Sequence, residues 1–199
     1  MCPICEQKLL DFHRFDNGQV FCPICLSLAR HRLLWLYIKD KLKDVILHVA
    51  PERFLQEKIR GLGYEYMSID LEMPHALEKM DLTSLDFVDE SFNTVICYHV
   101  LEHVDNDRKA LKELYRVLKP DGTAYIQVPI GRKKTTTRKY YSEYDRQKYF
   151  GQADHVRAYG EDFYTRLEKV GFKVQLIKNT YNSDLYGLNE GEYIVCCFK

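Results

Sequence analysis

The apolar positions of the chain change period several times, and each change predicts an element. Residues 26–43, LSLARHRLLWLYIKDKLK, hold Leu28, Leu33, Leu34, Trp35, Leu36 and Ile38, too many for one narrow stripe. That density predicts a helix buried on more than one side. VILHV at 45–49 reads as a first core strand, Arg53 to Arg60 as a helix, and Tyr64 to Ile69 as a second strand. Val95-Ile96-Cys97 is a short apolar, β-branched run, as a strand covered on both faces requires. Leu111, Leu114, Tyr115 and Leu118 then recur at helical spacing. Asp105 is placed to cap that helix, with Asp107 in its first turn and Lys119 at its negative end. Pro120 is expected to stop it and Asp121-Gly122 to turn the chain into a strand at Tyr125 to Val128. Glu161 to Val170 reads as a helix ended by Gly171, Phe172 to Ile177 as a strand, Asn179 to Gly191 as a polar loop and Glu192 to Phe198 as a last strand. Strand–helix–strand units with such short links are right-handed crossovers in a parallel sheet. Ligands of such sheets bind beyond the carboxyl ends of the strands, where Tyr98, His99, Glu102 and His103 fall.

Cysteine spacing adds a second unit. CPIC occurs twice, as Cys2 and Cys5 and again as Cys22 and Cys25, with sixteen residues between the pairs. Two such knuckles converge four thiolates on one tetrahedral ion, the pattern of a zinc ribbon, with Asp16-Asn17-Gly18 suited to a hairpin turn between them. Four thiolates fill the coordination sphere, so the ion is expected to be structural. Iron in a rubredoxin-like site and redox thiols are the alternatives. His13 and His31 are surplus ligands and read as ordinary polar residues. Arg30, His31 and Arg32 read as a solvated face rather than an anion contact. Cys97, Cys196 and Cys197 stand in apolar strands and read as buried small hydrophobes. The seven cysteines, four at metal spacing, favour a reducing cytoplasm. With 199 residues, 46 % hydrophobic content and zero net charge, the composition is that of a globular protein with no global field for nucleic acid or lipid. No run approaches a membrane span, and the start at Cys2, with no basic-then-apolar stretch, is expected to carry no signal peptide.

The stretch SFNTVICYHVLEHVDNDRKALKELYRVLKPDGTAYIQVP, Ser91 to Pro129, resembles the fourth to fifth strand of class I S-adenosylmethionine-dependent methyltransferases. It is most similar to the type 11 group, in which the fourth strand runs into a "hVLEH" helix and the next helix ends in "RVLKPGG". An "LHhAPE" loop, a preceding zinc ribbon and a later "FGQxDHVRxYG" segment extend the likeness to a bacterial group over nearly the whole chain. The resemblance implies an α/β fold: a Rossmann-like, mostly parallel sheet of seven strands with an antiparallel last strand. It divides the chain into a ribbon (1–27), a linking helix (28–43) and a methyltransferase domain (44–199) with an insertion at about 131–159.

The first loop departs from the family. It reads Ala50-Pro51-Glu52-Arg53, without the glycines that let backbone approach a pyrophosphate, which weighs against NAD or a nucleoside triphosphate. Asp70, at the end of the second strand, suits the two hydroxyls of a ribose; alone it would read as a cap for the next turn. The resemblance implies that Asp81 and Leu82 hold adenine. It carries His48, Ala50, Glu52, Leu71, Tyr98, His99 and His103 into the cofactor set. Tyr98 and His99 would lie nearest the transferable methyl, with His103 one helical turn on.

The insertion from Arg132 to Lys148 holds seven basic and two acidic residues, and four tyrosines lie between Tyr140 and Tyr149. It reads equally as a track for phosphates and bases or as a lid. Gln152, Asp154, His155, Arg157 and Tyr159 form a polar patch in which His155 is a general-base candidate, unless the patch only pins the loop. The expected activity is methyl transfer from S-adenosylmethionine to a small molecule or an RNA. The alternative is a non-catalytic, methyltransferase-shaped module that acts through its ribbon.

Overall fold

The computed structural model describes residues 1–137 and 142–199. Two short strands, β1 (His13–Arg14) and β2 (Val20–Phe21), form the ribbon hairpin, whose turn uses Gly18 at positive φ. Next come α1 (Ala29–Ile38), β3 (Ile46–Val49), α2 (Arg53–Arg60), β4 (Tyr66–Asp70), β5 (Glu78–Lys79) and β6 (Phe92–Tyr98). Then follow α3 (Asp107–Val117), β7 (Leu118–Gln127), β8 (Ile130–Arg132), β9 (Thr136–Thr137) and α4 (Glu143–Phe150). The chain ends with β10 (Arg157–Gly160), α5 (Phe163–Glu168), β11 (Lys173–Lys178), α6 (Ser183–Tyr186) and β12 (Tyr193–Phe198).

Seven strands form one sheet in the order β11-β12-β7-β6-β3-β4-β5, parallel except for β12, which runs against both neighbours. Side chains alternate between two cores. Leu47, Val49, Val95, Cys97, Ala124, Ile126, Val195 and Cys197 pack with α3 and α5 on one face. Ile46, Ile96, Tyr98, Tyr125, Ile194 and Cys196 pack with α1 and α2 on the other. Both faces are thus covered, as a parallel sheet demands. The expected Rossmann-like sheet is present, and all three strand cysteines are buried.

The ribbon shares the second core: Cys2, Ile4 and Cys22 join Leu33, Leu34, Trp35 and Leu188 in one cluster. The basic cluster is therefore no solvated face. Arg32 is fully buried, and its guanidinium donates to the carbonyls of Ser27, Val20, Tyr186 and Gly187. It clamps ribbon to loop while stacking on Phe12 at 4.4 Å. Gly187 is required there, because a Cβ would overlap the Phe12 ring.

Some boundaries differ from expectation. The linking helix is shorter than residues 26–43. Asn106, not Asp105, caps α3 by accepting from Lys109 N at 3.1 Å. That helix ends at Val117, ahead of Pro120, because β7 begins at once and takes Asp121-Gly122 into an irregular stretch of the β6–β7 ladder. The Glu161–Val170 helix is trimmed to α5, and the polar loop holds α6. Residues after His99 form turns rather than a helix. The cause is Arg157, whose guanidinium takes the carbonyls of Leu101, Val104 and Asp105 that a helix would have used for itself.

The insertion forms a small sheet in the order β8-β10-β9, capped by α4. Gly160 lies so close to Lys133 and Lys134 that a Cβ would stand 2.5 Å from the backbone of Lys134 and 2.7 Å from that of Lys133. Lys133, Lys134 and most of α4 are exposed, whereas Phe150 is buried. Arg138, Lys139, Tyr140 and Tyr141, four of the eleven basic and tyrosine residues of the run, lie outside the described residues. Among the described residues no helix is long and apolar enough to cross a membrane.

Candidate functional site

The two CPIC knuckles have the same backbone. Cys2 N donates to Gln7 O at 3.1 Å and Cys22 N to Ser27 O at 2.9 Å. Glu6 and Leu26, each following the second cysteine, both take positive φ near 60°. The four Sγ atoms lie within 4.8 Å of one another. Cys2 and Cys25 are 3.7 Å apart, Cys5 and Cys22 3.8 Å. A tetrahedral ion with metal–sulfur bonds of about 2.3 Å sets its sulfurs about 3.8 Å apart, so the donor set fits a closed thiolate site. The hydrogen bond with Cys25 draws the Cys2 thiol down to about 4, and the same bond pushes Cys25 up. His13 is exposed on β1 and takes no part.

Beyond the carboxyl ends of β3, β4 and β6 lies a cavity of about 630 Å³. The chain leaves β3 toward one side of the sheet and β6 toward the other, the crevice where open α/β sheets bind ligands. Two residues at these strand ends carry backbone strain: Ala50 at φ 48° and His99 at φ 55°. Both line the cavity. The loop without glycine therefore still makes a left-handed turn, and His99 is aimed inward by the same device.

At one end of this cavity stand Asp70, Leu71, Asp81 and Leu82. Asp70 Oδ1 accepts from the amides of Glu72 and Met73 at 2.7 and 2.8 Å, the capping role. No hydrogen bond reaches its Oδ2 among the described residues. Asp81 Oδ1 holds Thr83 N at 2.7 Å. At the other end are His99, His103 and Asp154. His99 Nδ1 is 3.2 Å from Glu102, and burial pushes its imidazole below the usual range against the pull of that carboxylate.

His99 also lines a second cavity of about 300 Å³, between the ribbon, the start of α1 and the ends of β7 and β12. Three polar atoms on residues lining it are buried without a hydrogen-bond partner: Arg30 Nε, Gln127 Oε1 and Glu192 Oε2. Burial also raises the Glu192 carboxyl. Arg30 is the only lysine or arginine among the described residues lining either cavity.

Four sequence candidates stand elsewhere than expected. His48 is buried and meets Tyr66 Oη at 2.9 Å; it lines neither cavity. Glu52 turns under the loop, 2.9 Å from His31 Nε2 and 3.6 Å from His48 Nε2. Burial would raise its carboxyl, but the two imidazoles hold it well below the usual range. These residues support the loop from beneath, and His31 is a core residue of that support. Tyr98 is buried on the α1 face, and burial pushes its phenol well above the usual range, so it offers no base. His155 is buried behind His103, with Nδ1 on the Phe150 carbonyl at 3.0 Å. Arg157 and Tyr159 pin the turn after β6 by hydrogen bonds to Leu101 and Asp107. Arg30 stands in the basic cluster read as a solvated face rather than an anion contact, while Gln127 and Glu192 carry no signal: nothing in their spacing says that the ribbon brings them to one cavity.

Residues 65–126 match the family described as "Methyltransferase domain". A ubiquinone biosynthesis O-methyltransferase, mitochondrial, from Dictyostelium discoideum is 26 % identical over 88 residues, 44 % of this chain. The chain spans about a quarter, 25 %, of that relative's length. A SAM-dependent methyltransferase from Archaeoglobus fulgidus superposes with a TM-score of 0.61 at 15 % identity, over 85 % of this chain and 94 % of that one. The 1,6-didemethyltoxoflavin-N1-methyltransferase of Burkholderia thailandensis, solved with its substrate and S-adenosylhomocysteine, gives 0.54 at 13 % identity, over 94 % and 97 %. The sheet order and these likenesses show the Rossmann-like fold of S-adenosylmethionine-dependent methyltransferases.

Proposed function

We propose that the chain is an S-adenosylmethionine-dependent methyltransferase acting on a small molecule. The observation that carries this reading is the polarity of two cavities that share His99 in their walls. The larger has carboxylates suited to ribose and adenine at its far end, Asp70 and Asp81. The smaller presents Arg30 opposite Gln127 Oε1 and Glu192, each with an orphaned buried atom. An amino-acid end carries a carboxylate and an ammonium; Arg30 would take the first, Gln127 and Glu192 the second. A cation is needed there because the loop lacks the glycines that bring backbone amides close.

The cofactor supplies an activated methyl on a sulfonium. The chain's residues hold it at both ends and align the acceptor at His99, a proximity effect. His99, reached from both cavities, receives the acceptor's proton. We further propose that Cys2, Cys5, Cys22 and Cys25 hold a structural zinc ion, supported by their tetrahedral sulfur spacing. The ribbon–helix–domain division stands as part of this reading, with the ribbon closing the smaller cavity through Gln19 and Val20. RNA is less favoured than a small acceptor, since net charge is zero and the site is a pair of cavities rather than a groove.

Calorimetry tests the reading. S-adenosylmethionine is expected to bind at a dissociation constant on the order of micromolar. Arg30→Met removes charge-assisted bonds and should weaken it by about tenfold or more. Asp70→Asn should weaken adenosine as well. A folded, zinc-loaded chain with no affinity for the cofactor would leave the non-catalytic module as the better account.

A further inference from the structure

We propose that Glu102, His103 and His155 bind a divalent first-row transition ion at the wall of the larger cavity, and that this ion takes a hydroxyl oxygen of the methyl acceptor. One donor atom from each of the three lies within 4.8 Å of the others. Their hydrogen bonds leave the right atoms over. His155 Nδ1 sits 3.0 Å from the Phe150 carbonyl, which can only accept, so that nitrogen carries the proton and Nε2 keeps its lone pair. His103 Nδ1 sits 3.0 Å from Asp154 Oδ2, which fixes the same tautomer through a carboxylate. Metal-bound histidines are oriented by such partners on their second nitrogen. Glu102 is 1 % exposed; one oxygen meets His99 and the other, Oε2, is buried with no partner. A buried carboxylate oxygen left unpaired calls for a cation or a donor.

The insertion builds this group. Val156 N donates to Glu102 O at 2.9 Å, and Arg157 ties the carbonyls of Leu101, Val104 and Asp105. The turn carrying Glu102 and His103 is thereby locked against the segment carrying His155. Ligands about 2.1 Å from one ion stand at most about 4.2 Å apart, and His103, which is exposed, can turn to meet that limit. Two imidazoles and one carboxylate suit zinc, iron or a similar ion rather than magnesium or calcium. Three protein donors leave coordination positions open, and His103 and Asp154 line the cavity that His99 also enters.

The acceptor role rests on the methyltransferase reading. In the step, the acceptor's O–H proton passes to His99. The oxygen forms its bond to the methyl carbon as the sulfur–methyl bond breaks, and sulfur keeps the bonding pair. The products are a methyl ether, S-adenosylhomocysteine and one proton. An ion on the oxygen lowers its proton affinity.

The test is zinc stoichiometry of the full chain after loading and gel filtration, with cofactor affinity measured separately by calorimetry. Wild type should hold two ions per chain, and Glu102→Gln and His103→Gln one. His103 is partly exposed, so H103Q keeps the test sound if E102Q fails to fold. One ion in wild type, or two ions that survive H103Q, overturns the site. With cobalt in place of zinc, acetohydroxamate should shift the absorption of wild type but not of H103Q; no shift in wild type overturns the open positions. Cofactor binding without a second ion defeats this proposal and spares the methyltransferase reading, whereas a second ion without cofactor binding keeps the metal site and overturns its acceptor role together with that reading.

Discussion

The four cysteines and the Glu102–His103–His155 group are both clusters of ligand-type side chains, but they are built in opposite ways. Each knuckle is closed by its own backbone bond, Cys2 to Gln7 and Cys22 to Ser27. Its sulfurs face one another and share a core with Leu33, Trp35 and Leu188. The second group exists only once the strand end of β6 and the insertion have met, and one of its members, His103, faces a cavity. A closed cluster can contribute to stability and little else; an open one can do chemistry and contributes little to stability. The two regions should therefore respond differently to the same kind of damage.

The largest difference is expected for Cys22→Ala. Structural zinc contributes on the order of 10 kcal/mol of folding free energy in small domains. That is comparable with the roughly 5–15 kcal/mol by which whole proteins are stable. Because the ribbon and the sheet share a core, the loss should reach the whole chain. Thermal unfolding is expected at a midpoint lower by about 10 °C or more, and a chelator should mimic it in wild type. By the same measurement His103→Gln should move the midpoint by less than about 2 °C, as surface substitutions do. Equal effects of the two variants would erase the distinction, and an unchanged midpoint for C22A would mean that the ribbon carries no stability.

A smaller effect separates the two supports of the first loop. His31 is buried, and burial pushes its imidazole below the usual range despite Glu52. The folded chain therefore resists a proton that the unfolded chain accepts near pH 6.5. Where the unfolded state binds more protons, stability rises with pH. Stability should accordingly fall as pH drops below about 6.5, the unfolded value, toward the lower folded one. Urea unfolding at pH 7.5 and 5.5 measures it, and His31→Gln should show a shallower fall between the two. A variant as acid-sensitive as wild type would assign the loss to other groups.

How far each region was legible in the sequence follows from the distance over which it is encoded. The knuckles repeat one four-residue word, and the sheet follows from apolar runs and stripes, so both were readable. Arg32 and His31 were not, because their partners are the carbonyls of residues 186 and 187 and a carboxylate in the next loop. The hydrophobic density of α1 announced two-sided burial but not that its charged residues would be buried too. His155 was visible as a histidine in a polar patch. Its approach to Glu102 depends on a three-stranded insertion sheet whose strands are as short as Thr136–Thr137, below what periodicity can reveal. The turn after His99 reads as helix in the sequence because its deciding partner, Arg157, lies far along the chain.

The smallest effect concerns the two left-handed residues that border the larger cavity. An L-residue in this conformation costs about 1–2 kcal/mol, while glycine adopts it freely but loses about 0.5–1 kcal/mol more entropy on folding. Ala50→Gly should therefore raise the urea midpoint by a net gain of about 1 kcal/mol or less, with an unchanged slope. Cofactor affinity should stay the same, because Ala50 offers the site only its backbone path. His99→Gly relieves the same strain at φ 55°, yet it removes the side chain on which both cavities converge. It should be less stable than A50G by about 1–3 kcal/mol, because the buried Glu102 carboxylate loses the partner of its Oε1, and it should lose methyl transfer. If A50G is destabilised instead, the first loop is not strained by lacking glycine, and the left-handed turn there is better explained by the support of Glu52 and His31 beneath it.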